Sequence, residues 1–218
     1  MTLNVPGPIK VVILTTMPDE LAVDIFISQY KHQLGDPAII LDTIEMKSTN
    51  EMLAGFQRAG EIECSAILFV THGDEMGQPG FVDPDFDALD LNLRRERKRM
   101  FLNWRNMSNW FRTAFDNRIL MLAVCNAGVG NYAHALLHAG MALHVLTAYE
   151  GKEINSVDGA KAFAHFTKQL HNSGRSRITP GHVELVMNSV ETSYPGILDL
   201  WPYRGGLESQ KYLPVHRR

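Results

Sequence analysis

Ser65-Ala66-Ile67-Leu68-Phe69-Val70-Thr71-His72-Gly73 is the stretch on which the fold turns. Its uncharged apolar centre reads as a strand buried on both faces, the kind found in parallel sheets covered by helices. The run stops abruptly at His72-Gly73. A second run behaves alike: Arg118-Ile119-Leu120-Met121-Leu122-Ala123-Val124 leads directly into Cys125. In an open parallel sheet the functional crevice lies beyond the carboxyl ends of the strands. His72 and Cys125 both stand there.

Outward from these two runs, strands alternate with helices. Lys10 to Thr15, Ala38 to Ile44 and Met141 to Thr147 read as three further strands. Pro18 and Asp19 open a helix whose Val23, Phe26, Ile27, Tyr30 and Leu34 fall at helical spacing, with Gly35 to end it. Ser48 and Glu51 form a capping box for a helix carrying Met52, Leu53 and Phe56 to about Gly60. Asp158 is placed to cap a helix with Phe163, Phe166 and Leu170 on one stripe, and Thr179 to Val190 reads as another helix. Gly77 to Arg99 has the Gly, Pro and charge content of a connection near the site. Beyond Tyr194 no element is assigned. The alternation predicts an α/β fold, a three-layer α/β/α sandwich with a mostly parallel sheet, as a single domain over residues 1–218.

Composition narrows the function classes. The 218 residues carry a formal net charge of −3, which gives no footing for a nucleic-acid or membrane surface. The basic run Arg94 to Arg99 follows the acidic stretch Asp83 to Asp90 and reads as a solvated face. Phe101, Trp104, Trp110 and Phe111 read as core packing rather than a base-stacking platform. No apolar run reaches the roughly 20 residues of a membrane span. Met1 to Pro8 has no charged region leading into an apolar one, so a cytoplasmic location is expected. The two cysteines, Cys64 and Cys125, are too few for a disulfide framework. No phosphate loop or dinucleotide fingerprint occurs, and no cofactor is expected. His134 and His138 lie four apart but lack the intervening Glu and a third ligand, so no metal is expected either.

The chemistry follows from the residue types. An imidazole that takes the cysteine proton leaves a thiolate, the form that attacks a carbonyl carbon. The tetrahedral intermediate then needs fixed N–H donors aimed at its oxyanion, which Gly73 and Cys125 can supply from the backbone. Gly128 and Gly130 keep the far side of the nucleophile open. A helix starting near Asn131 would favour the thiolate through its positive N-terminal end. Cys64 has no motif around it and reads as structural.

Phe69-Val70-Thr71-His72-Gly73 and Leu122-Ala123-Val124-Cys125-Asn126-Ala127-Gly128 resemble the two catalytic motifs of the caspase and separase clan of cysteine proteases, most closely its bacterial CHAT-type members. His72 precedes Cys125 by 53 positions, near the caspase separation of about 50. The segment Gly159 to Leu170 resembles the helix after the fifth strand in that family, and the resemblance spans roughly residues 10–170. It implies a cysteine endopeptidase with His72 and Cys125 as its dyad, a protein substrate, and control by a regulatory protein partner. It also implies that the pocket for the residue before the cut draws on Asp19, Ala123 and Glu150, with Asp158 nearby. Ala123 stands where the caspase signature has Gln, and none of the four is basic. Cleavage after Arg or Lys is therefore expected, or after an apolar residue if the carboxylates merely cap helices, but not after Asp. Two other readings stay open: a catalytically silent caspase-like binding or scaffold module, and another cysteine-dependent acyl or sulfur transferase.

Overall fold

The buried apolar runs become the central strands of one six-stranded sheet. The computed structural model describes residues 5–73, 80–81, 100–101, 114–125, 137, 144–148 and 156–202. In chain order its elements are β1 (Val5–Pro6), β2 (Val11–Thr15), α1 (Leu21–Leu34), β3 (Ile40–Glu45), α2 (Thr49–Glu61), β4 (Ala66–Val70), β5 (Gly80–Phe81) and β6 (Met100–Phe101). Then follow β7 (Ile119–Ala123), β8 (His144–Ala148), α3 (Ser156–Asn172), β9 (Arg177–Ile178), α4 (Pro180–Ser193) and β10 (Leu198–Pro202). The sheet order is β10-β8-β7-β4-β2-β3. All neighbours pair parallel except β10, which runs antiparallel to β8.

Every residue of β2, β4 and β7 is buried, because helices cover both sides. Strand alternation sorts the side chains. Ile13, Leu68, Val70 and Met121 face α1, α3 and α4; Leu14, Phe69 and Leu122 face Met52 and Phe56 of α2. That is the expected three-layer sandwich. On the first face, the rings of Phe26 and Phe163 meet edge to face at 5.8 Å, joining α1 to α3. Beside them the Tyr30 hydroxyl lies 2.9 Å from Thr167 Oγ1, wholly buried.

Helix ends correct several sequence expectations. Neither Pro18 nor Asp19 opens α1; Glu20 is its N-cap and makes no side-chain capping bond. Asp158 sits inside the first turn of α3 rather than at its cap. The Ser48 hydroxyl does accept from the Glu51 N–H at 3.2 Å, but Glu51 returns its carboxylate to the Lys47 N–H at 2.7 Å, one residue earlier than the usual box. Leu53 is exposed, since it follows Met52 by one residue and turns off the buried stripe. Ala38 belongs to a 3-10 turn (Pro37–Ile39) that precedes β3.

Five strands escape the sequence pattern: β10, the two-stranded ribbon of β1 with β9, and that of β5 with β6. In β10, Leu198 faces the α1 side and Trp201 the α2 side, and the indole N–H donates to Thr147 Oγ1 at 3.1 Å. Pro202 closes it on the outermost strand of the sheet, where a proline is tolerated. Of the Gly77 to Arg99 connection, Gly80–Phe81 pairs antiparallel with Met100–Phe101; the remainder lies outside the described residues.

Candidate functional site

The register between β4 and β7 sets the site. Val70 lies opposite Ala123, and one residue on, the Thr71 N–H donates to the Ala123 carbonyl at 3.3 Å. His72 and Cys125 each follow this last pair by two residues. They leave adjacent parallel strands at the same level, on the same edge of the sheet. Val70 and Ala123, the last paired residues before them, both face α1.

Backbones touch at this edge. A Cβ added to Gly73 would run into the Cys125 carbonyl oxygen, and would come within 2.8 Å of Val124 Cγ1. Glycine at 73 is a requirement of space here, not of an unusual φ. The contact brings the His-Gly turn directly against the residue proposed as nucleophile.

Glu20 adds a charge from the loop after β2. Its Oε2 lies 3.9 Å from His72 Nε2, and both side chains are only about one-quarter exposed. That separation is long for a hydrogen bond but short for Coulombic attraction to an imidazolium. The sequence reading passed over Glu20. Its signal was position: it follows a buried parallel strand and precedes the first helix, where a sheet of this kind gathers its site.

Below His72 lies a buried hydroxyl pair. Thr16, just past β2, and Thr71, just past β4, have their Oγ1 atoms 2.8 Å apart. Both reach the Gly80 carbonyl, Thr71 at 2.7 Å and Thr16 at 2.5 Å. The Gly80 N–H in turn donates to the His72 carbonyl at 2.7 Å.

The residues expected to line the substrate pocket have separate placements. Asp19 is 81% exposed and paired with Lys47 at 3.1 Å, so its charge is already answered. The same lysine approaches Glu45 at 3.9 Å. Ala123 ends β7, buried and facing α1. Asp158 pairs with Lys161 one turn along α3, at 3.6 Å. Glu150 lies outside the described residues, as do Gly128, Gly130, Asn131, His134 and His138.

The two cysteines differ in setting. Cys64 is buried, and burial pushes its thiol pKa up, against a smaller opposing effect of Arg118. A neutral thiol among apolar neighbours is a packing group. Cys125 is partly exposed at the sheet edge. Among the described residues, no group of three or more His, Cys, Asp or Glu is arranged to hold a metal ion, and no helix is long and apolar enough to cross a membrane.

Known proteins enter at this point. No family model matches the sequence, and no curated protein does. Solved structures do. One is the X-ray structure of a secreted C11 cysteine protease from Bacteroides thetaiotaomicron in complex with an irreversible peptide inhibitor, with a TM-score of 0.55 and 9% sequence identity. The match covers 89% of this chain and 66% of that protease, so this chain spans just under two-thirds of its length. At such low identity the likeness is one of architecture: the chain has a caspase-like α/β fold, shared with a cysteine protease of that clan.

Proposed function

We propose that the chain is a cysteine endopeptidase that hydrolyses peptide bonds in protein substrates through His72 and Cys125. The observation that supports this reading is the β4–β7 register, in which both residues follow the carboxyl ends of adjacent parallel strands in a caspase-like sheet. In the proposed cycle, His72 takes the Cys125 thiol proton and the thiolate sulfur bonds to the substrate carbonyl carbon. The N–H groups of Gly73 and Cys125 receive the oxyanion. As the tetrahedral species collapses, His72 passes its proton to the leaving amine and a thioester remains on Cys125. A water, deprotonated by His72, then attacks the thioester, releasing the carboxylic acid and restoring the thiol. Glu20 favours the imidazolium that appears in both halves of the cycle.

Within this reading the CHAT-type members are the nearest kin, the site is cytoplasmic, and a regulatory protein partner controls access to it. Asp19 and Asp158 already hold lysines, so Glu150 is the carboxylate left to select Arg or Lys before the cut. Lys47 and Lys161 are already paired with Asp19 and Asp158, so an Asp side chain before the cut would compete with those carboxylates for a partner.

The test is direct. Cys125→Ala and His72→Ala should each abolish cleavage of a diverse peptide library while the fold persists, and the double variant should lose no more than either alone. Substantial cleavage by Cys125→Ala would overturn the proposal. A peptidyl thiol-reactive probe adds a second arm: labelling of Cys125 only when His72 is present fits the endopeptidase. Absence of labelling would favour the silent binding module. The library also reports the residue before the cut, and preference for Asp would overturn the pocket argument.

A further inference from the structure

His72 is tied into the molecule by its backbone as well as by its ring. The Gly80 N–H holds the His72 carbonyl at 2.7 Å, and the Gly80 carbonyl points back into the buried Thr16–Thr71 pair. Both threonines are almost fully enclosed, at 1% and 4% exposure. Three oxygens therefore form a closed triangle: Thr16 to Thr71 at 2.8 Å, Thr71 to Gly80 at 2.7 Å, and Thr16 to Gly80 at 2.5 Å. Two hydroxyl protons serve the three edges: both hydroxyls lie within donating distance of the Gly80 carbonyl, and Thr16 also of Thr71. Such a chain polarises its members, and burial leaves no water to replace one that is lost.

What the triangle joins matters more than its strength. Thr16 comes from just past β2, Thr71 from just past β4, and Gly80 from the start of β5. The His72-Gly73 segment is thus pinned on one side by the Thr71 N–H bond to Ala123, and on the other by the Gly80 N–H bond to His72. His72 sits between the pins, beside Cys125.

We infer that Thr16 and Thr71 are positioning residues: through Gly80 their buried hydroxyls fix the backbone of His72 so that its ring meets Cys125. The inference rests on the proposed Cys125–His72 chemistry. A buried polar network is costly unless every member is satisfied. A valine would fill either site with the same shape and no such demand. The hydroxyls serve geometry, and geometry is what proton transfer from a thiol requires, since a displacement near 1 Å costs on the order of a hundredfold in rate.

Thr71→Val and Thr16→Val keep side-chain volume and remove one hydroxyl each; Thr71→Ser keeps the hydroxyl and loses only a methyl. Two readouts apply to the full chain: steady-state peptide cleavage, and the pH dependence of Cys125 alkylation by iodoacetamide, followed by mass of the labelled peptide. Each valine variant should lower kcat by about tenfold to a hundredfold with KM little changed. Each should also move the alkylation profile toward that of His72→Ala, and Thr71→Ser should restore both to near wild type. Valine variants with the wild-type profile and kcat would overturn the inference. So would a folded Thr71→Ser whose kcat falls tenfold or more below wild type, an arm that stands even where a valine variant fails to fold. Failure of the underlying reading looks different: the wild-type alkylation profile would then be indifferent to His72→Ala.

Discussion

Gly73 shows what a single missing side chain can do. Its α-carbon faces the Cys125 carbonyl so closely that no Cβ fits between them, and Val124 closes the other approach. A backbone carbonyl cannot swing aside as the end of a long side chain can. Gly73→Ala should therefore push the His72-Gly73 turn away from Cys125. Overpacking of this kind costs about 1–3 kcal/mol, and the same displacement should reduce peptide cleavage by at least tenfold. Urea denaturation and library cleavage measure the two effects. An alanine variant with full activity and an unchanged midpoint would mean that the two backbones separate freely. Residue-scale charge tells a complementary story: Glu20 reaches His72, whereas Asp19 is spent on Lys47. Adjacent carboxylates on one loop thus have separate tasks. Only their side-chain directions distinguish them, which is why a linear sequence presents both as equals.

Helix α2 depends on a residue from another element for its C-terminal end. The guanidinium of Arg118, just ahead of β7, donates to the carbonyls of Ala59 and Ala114 at 2.6 Å each, Ile62 at 2.9 Å and Gly60 at 3.1 Å. Three of these carbonyls belong to the end of α2, where the helix leaves acceptors unpaired and its dipole favours a positive charge. Bonds to charged groups contribute about 1.5–3 kcal/mol each, though not additively. Arg118→Met should therefore cost about 3 kcal/mol or more in urea denaturation, because it strands several acceptors at once. Arg58 provides the contrast: it pairs with Asp42 at 2.6 Å but is 63% exposed, and an exposed ion pair is worth about 1 kcal/mol or less. Equal losses from Arg118→Met and Arg58→Ala would refute the assignment. Elements with a strong period of their own were legible in advance. The five apolar residues expected to line α1 are the five it buries, and the double-sided strands β2, β4 and β7 stand where their apolar runs lie. β10 was not legible, because four residues between Pro195, Gly196 and Ile197 on one side and the closing Pro202 on the other carry too little alternation to separate a strand from a loop. The two-residue ribbon of β1 and β9 carries less still. At the site, His72 and Cys125 could be found by their places after strands. The Thr16–Thr71–Gly80 triangle joins residues up to 64 positions apart, and no local pattern marks it.

At the scale of the whole molecule, the layer of α1, α3 and α4 contains a group that ties stability to pH. His182 lies in the first turn of α4, whose N-cap Thr179 accepts from the His182 N–H at 3.3 Å. The residue is only 8% exposed, and its Nδ1 has no hydrogen-bond partner among the described residues. Burial pushes its pKa below the ordinary histidine value, and the nearby positive charge of Arg175 pushes the same way. The folded chain therefore resists protonation there more than the unfolded chain, whose histidine titrates near 6.5. Well above that value His182 is neutral in both states and contributes nothing to the pH dependence. As pH falls through about 6.5 the unfolded chain takes the proton first, so the unfolding free energy declines until the lower folded pKa is reached. Carboxylates bring their own losses only nearer pH 4. The expected outcome is a wild-type urea midpoint that falls between pH 7.5 and 5.5, and a His182→Leu variant in which that fall is smaller. Leucine is apolar, as a buried site favours, and it has no proton to gain. If both proteins lose the same stability across that interval, the acid sensitivity belongs to other groups and His182 is an inert part of the helix packing.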